Sequence, residues 1–126
     1  MTGWTEQQLT AIGNADELRI APAQTDGTLR REVIIWVVRV GDDIYIRSAN
    51  GRDAAWYRHT AATGHARITA GGVAADVTAE DASGNDTLTA ALQAEYHRKY
   101  DHYGESVTRG ALSPEAQDAT WRLLPR

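Results

Sequence analysis

The run Val33 to Val38, VIIWVV, restricts the possible folds of this chain more than any other stretch. It has no polar alternation, a pattern expected only where both faces of a strand are covered by other structure. It is also far too short to span a bilayer, so no membrane partner is expected. The run therefore predicts a strand over about Leu29 to Val40 at the centre of a sheet.

The flanking punctuation fills in the rest. Thr5 with Gln8 three residues on has the spacing of a capping box and opens a short helix, about Glu6 to Ile12, with Gly13 as its stop. Glu17 to Ala21 alternates like a strand ending at Pro22, and Asp26-Gly27 supplies a turn. The turn at Gly41, Asp42 and Asp43 leads into IYIRSA, a third strand with Ile44, Ile46 and Ser48 on one face and Tyr45, Arg47 and Ala49 on the other. Asp53 stands as N-cap of a helix over about Ala54 to Ala62, which Gly64 closes. Gly71-Gly72 fits a two-residue hairpin loop, setting Ala70 opposite Val73, Ile68 opposite Ala75, and Arg67 opposite Asp76 as a cross-strand ion pair.

Leu88, Leu92, Tyr96 and Tyr100 form a stripe at spacing four, which predicts a helix from Asp86 to about Tyr103 lying on a sheet, with Glu95 and Lys99 as an i,i+4 pair. Ser113-Pro114-Glu115 reads as a cap and first-turn proline, and ATWRLL as a last strand before Pro125. The whole is one α+β domain, residues 1–126, on a six-stranded antiparallel sheet or barrel.

Charge narrows the function. Thirteen basic against 17 acidic residues give a net charge of -4, which argues against nucleic acid as a partner. Without cysteine there is no thiolate nucleophile or thiolate metal site. His97 and His102 are five apart and cannot chelate one ion from a regular helix, so no metal is expected, and Asp101 is the helix partner of His97. The opening MTGWTEQQLT lacks the basic and apolar regions of a secretory leader, and a cytoplasmic location is expected. Against the negative total, Arg47 to Arg67 holds four arginines and one acid, Asp53. Within it Ser48, Asn50 and Gly51 offer a hydroxyl, an amide and close backbone approach before a helix start, an arrangement that binds phosphate, with Arg47 and Arg52 as bidentate donors. The same residues also read as a plain turn joining a strand to a helix. Trp56 and Tyr57 point about 100° apart on that helix, so one of them packs inward.

The order of features in REVIIWVVRVGDDIYIRSANGRDAAWYRHTAATGHARI resembles the split β-barrel flavin and deazaflavin proteins. That group includes the deazaflavin-dependent nitroreductases and a small uncharacterised bacterial family of about this length. The likeness spans about Glu17 to Pro125 and is most specific over Arg47 to Tyr57. It implies a six-stranded split barrel, a homodimer, and FMN or a deazaflavin coenzyme acting on a small molecule. Ser48, Asn50, Gly51 and Trp56 would then lie beside the cofactor, with Arg47 and Arg52 near its phosphate, and Tyr100 and Tyr103 toward the substrate. The nitroreductases' glycine-lysine-serine-glycine loop is replaced here by TDGTLRRE, with Arg30 in place of the lysine. A cofactor-free binding or structural protein with the same barrel is the second reading, and no catalytic acid or base is singled out.

Overall fold

A computed structural model describes residues 3–126. The chain runs through α1 (Glu6–Asn14), β1 (Leu18–Pro22), β2 (Val33–Ile35), β3 (Val38–Val40), β4 (Asp43–Arg47), α2 (Ala55–Thr63), β5 (His65–Ala70) and β6 (Val73–Asp81). It continues through α3 (Asp86–Tyr100), α4 (Glu105–Leu112), α5 (Pro114–Asp118) and β7 (Thr120–Pro125). The described residues form one antiparallel sheet of seven strands, not six, in the order β2-β1-β5-β6-β7-β4-β3.

The extra strand comes from the VIIWVV run, and it corrects the expectation of a central strand. The run breaks at Trp36 and Val37, and its halves become the two opposite edges of the sheet. Only two residues separate those edges, so the sheet must curl into an almost closed barrel. The break leaves backbone groups of Val37 outside any ladder, and buried amides and carbonyls need partners. Side chains of α3 supply them. The Tyr100 hydroxyl accepts from the Val37 N–H at 3.1 Å, and shares its proton between the carbonyls of Asp16 at 2.9 Å and Val37 at 3.0 Å. Lys99 Nζ donates to Ala15 O and Val37 O, both at 2.6 Å.

Strand alternation sorts the core into two layers. Inside the barrel Ile20, Ile44, Ile46, Ile68 and Leu123 pack with Leu9 and Ile12 of α1. On the outer face Val38 and Tyr45 meet Leu92, Tyr96 and Tyr100 of α3. The predicted stripe thus lies on the sheet as expected. Glu95 does not pair with Lys99: Arg98 takes it at 2.7 and 2.5 Å, because Lys99 turns inward to the carbonyls.

Capping explains the helix ends, with two corrections. The Thr5 and Gln8 box is present, yet α1 runs through Gly13 to Asn14. Gly13 is an approach point: a Cβ there would lie 3.0 Å from Cβ of Arg39. Asp53 caps nothing; it ends a 3₁₀ turn over Gly51–Asp53, and α2 starts from Ala54 with no side-chain cap. Gly64 closes α2 at φ 73°, and Ser113 caps α5 by accepting from the Ala116 amide. The helix α4, in a stretch to which the sequence reading assigns nothing, follows a second 3₁₀ turn over Asp101–Tyr103. No helix of the described residues is long and apolar enough to cross a membrane.

Candidate functional site

Alternation along β4 decides where Arg47 goes. Ile44 and Ile46 face the barrel interior, so Tyr45 and Arg47 face outward, under α3 and α4. Arg47 is 5% exposed. Its Nε donates to Thr120 Oγ1 at 3.1 Å, and its Nη1 donates to Ala111 O at 3.0 Å and to Gln93 Oε1. The guanidinium sits 5.3 Å from the Tyr96 ring centre. Every acceptor is neutral, and none of the ion pairs among the described residues includes Arg47. Burial lowers its pKa from the usual guanidinium value, but a guanidinium stays protonated in proteins.

Beside Arg47 opens a cleft of about 300 Å³. It is lined by Arg47, Ser48 and Tyr96, by Ile34 and Ile35 of β2, and by two indoles, Trp36 and Trp56. Three buried polar atoms of these residues have no partner among the described residues: Arg47 Nη2, Ser48 Oγ and Tyr96 OH. A buried polar group without a hydrogen bond is costly and calls for an explanation. All three belong to residues that line the cleft, whereas Trp121 Nε1, unpartnered as well, does not.

The sequence-based candidates divide. Arg47, Ser48, Asn50 and Trp56 line the cleft together. Tyr57 turns inward and stacks on Trp121 with centroids 4.7 Å apart, which leaves Trp56 to the cleft. Gly51 does not line it: at φ 74° it is buried where a Cβ would come 3.2 Å from Glu115, so its lack of a side chain lets the 3₁₀ turn pack on α5. Arg52 points elsewhere, donating to Asp118 O at 2.8 Å and Ser83 Oγ at 3.2 Å and pairing with Asp81 at 3.4 Å. Arg30 is exposed and is not part of the cleft wall; its amide donates to Pro22 O. Tyr100 is fully buried as the clamp on Val37, stacks on Trp36 at 3.9 Å, and does not line the cleft. Tyr103 is exposed, bonds Asp16 at 2.7 Å, and borders a separate hollow with Asp16, Glu17 and Val107. The reading of the residues missed Gln93 and placed Tyr96 in the stripe that packs on the sheet; the signal for Tyr96 was its place on the α3 face that meets β4.

Residues 8–123 match the profile of a family described as "Uncharacterized protein conserved in bacteria (DUF2255)". The chain belongs to this family. No curated protein matches this DUF2255 chain in sequence. Among solved structures it is similar to an FAD-binding protein from Mesorhizobium loti, at TM-score 0.58 and 16% identity over 98% of this chain and 91% of that one. It is similar to an F420 reductase at TM-score 0.53 and 14% identity, covering 93% and 90% of the two chains. A pyridoxamine 5'-phosphate oxidase-related, FMN-binding protein from Nostoc punctiforme has TM-score 0.50 and 13% identity, with 100% and 81% covered. At such identities the likeness establishes the split-barrel fold and carries no residue role.

The lining of the DUF2255 cleft combines a buried guanidinium with a buried phenol. Tyr96 is 1% exposed, and burial holds its phenol well above the ordinary value of 10.0. It therefore stays protonated, able to donate, throughout the neutral range. Stability follows with a definite sign. A phenol whose folded pKa is raised contributes stability below the ordinary value and loses it as pH rises beyond, because the unfolded chain gives up its proton first. Tyr100, raised by burial as well, acts in the same direction. Urea melts on either side of pH 10 should show stability falling with pH, and Tyr96→Phe should make that fall shallower. An unchanged slope in Tyr96→Phe would contradict the buried, protonated phenol.

Proposed function

We propose that this protein binds a flavin-type cofactor, FMN or a deazaflavin, in the cleft above Arg47 and serves as an oxidoreductase for a small molecule. One observation carries the reading: three unpartnered polar atoms, all able to donate, belong to residues lining a cleft that two indoles also line. The residues fit the group. Its volume stands at the lower end of the roughly 300–1,000 Å³ of ligand pockets. A flavin or deazaflavin, when bound, supplies the electron or hydride chemistry itself, so the protein needs no acid or base of its own. Arg47 Nη2 and Ser48 Oγ would hold the polar part of the cofactor, while Trp36 and Trp56 cover its rings and exclude water. Tyr96 would keep a proton available at its hydroxyl. The homodimer implied by the split-barrel likeness belongs to the same proposal, with the half-exposed Ile34 at the open edge of the cleft.

Titration of the purified protein with FMN and with a deazaflavin, followed by cofactor and tryptophan fluorescence, tests the reading. Saturable quenching of both signals is the expected result. A linear response to both compounds up to their solubility limits would reject it and leave the cofactor-free reading.

A further inference from the structure

Arg47 has five N–H donors. Three are used, on Thr120, Gln93 and Ala111, and the unused pair belongs to the single nitrogen Nη2. Gln93 is the one side chain of α3 among the three groups that hold this orientation. Its Nε2 donates to Leu112 O at 3.3 Å, which turns its oxygen, and not its amide nitrogen, toward Arg47. The tether is neutral in charge. A glutamate would have the same shape and would cancel the guanidinium; the sequence has the amide.

Leaving a buried cation without a counter-charge is expensive, commonly several kcal/mol even after relaxation. Buried charges are as a rule paired. Here the acceptors are a hydroxyl, an amide oxygen and a carbonyl, so the missing negative charge has to come from outside the chain. Ser48 Oγ and Tyr96 OH, both 1% exposed and without partners, adjoin the same cleft and extend the donor set. Among the described residues no carboxylate lines this cleft.

We infer that Gln93 determines the specificity of this site, by aiming Arg47 without neutralising it, so that the cleft takes its ligand through an oxyanion. The anion is a phosphate monoester or a carboxylate, presented by a cofactor or by a substrate. The inference rests on reading this cleft as a ligand site, and it adds a charge requirement that a flavin ring alone does not meet. Gln93 is a positioning residue, acting through Arg47.

The experiment compares FMN with riboflavin, which has the same ring system and no phosphate, on the full chain and on Gln93→Glu. The wild type should prefer FMN by about tenfold or more, corresponding to at least about 1.4 kcal/mol. Gln93→Glu should lose that preference by weakening FMN more than riboflavin, a split that a merely structural role would not produce. Equal affinity for the two flavins in the wild type, with no shift in melting temperature from orthophosphate or benzoate, overturns the inference and leaves the flavin proposal standing. Should neither flavin bind, orthophosphate and benzoate serve as probes of the two anion classes. A rise in melting temperature with either, absent in Gln93→Glu, supports the oxyanion site and rejects the flavin. No response to any of the four compounds rejects both. If Gln93→Glu does not fold, Gln93→Met keeps the volume and the buried charge but releases the tether. It should then show a smaller preference for FMN, or for the responding anion, than the wild type, and an undiminished preference overturns the role of Gln93.

Discussion

Arg47→Met is expected to abolish saturable FMN binding while changing unfolding stability little. Removing a buried cation that has no counter-charge relieves a desolvation cost of several kcal/mol. Against that, the substitution leaves Gln93 Oε1 and Ala111 O without their donor, at about 1–3 kcal/mol for each group that stays unsatisfied. Thr120 keeps its bonds to Ala116 O and Gln117 O. The opposed terms are of similar size, and the net change should stay within about 2 kcal/mol. Binding has no such compensation. Losing a charged, desolvated donor costs about 2–5 kcal/mol, a fall of roughly thirtyfold to several thousandfold in affinity. Fluorescence titration and a urea melt on the same sample read both quantities. Arg52→Ala provides the opposite pattern: its bonds to Asp118, Asp81 and Ser83 are structural, so stability falls by about 1 kcal/mol and binding stays. Wild-type affinity in Arg47→Met would remove the proposed site.

The second large effect is expected at Gly71. Its φ of 56° suits the hairpin loop, and a Cβ there would come within 2.1 Å of the Ala11 carbonyl oxygen in α1. That atom is backbone within a helix and cannot move without shifting α1 off the sheet. Gly71→Ala therefore combines a left-handed alanine, costing about 1–2 kcal/mol, with displacement of α1. A total of about 4 kcal/mol or more is expected, placing it among the exceptional single substitutions. For a domain of this size that is a drop of roughly 10–20 °C in Tm. Gly72→Ala is the control, since φ is 83° but nothing lies within 4 Å. It should lose only the backbone part. Equal losses for the two variants would show that the close approach to α1 is not what requires glycine at position 71.

The hairpin that carries Gly71 was the most legible part of the chain. Adjacent glycines fix the loop, and the period of two then fixes every partner, so Ala70 meets Val73 and Arg67 meets Asp76, with an ion pair at 3.0 Å. The faces of β4 were legible for the same reason. The break in VIIWVV was not, because the run contains no glycine or proline to announce it. The groups that stabilise the break, Tyr100 and Lys99, lie more than sixty positions away. The site divides along the same line. Arg47, Ser48, Asn50 and Trp56 share a cleft because they share one reversal of the chain, and closeness in sequence was enough to group them. Arg52 belongs to that reversal too, but the 3₁₀ turn beginning at Gly51 carries it round toward Asp118. Gln93 and Tyr96 reach the site through the packing of α3 on the sheet, and no local pattern encodes that.

The placement of β2 and β3 at the sheet's two margins bears on how the protein behaves at high concentration. An open margin is a row of unpaired amides and carbonyls on which a stray chain can nucleate, and its hazard grows with its length. Each margin here is three residues long. By ending a strongly apolar run on both sides of a corner, the chain divides one long adhesive strip into two stubs, too short to seed a fibril efficiently.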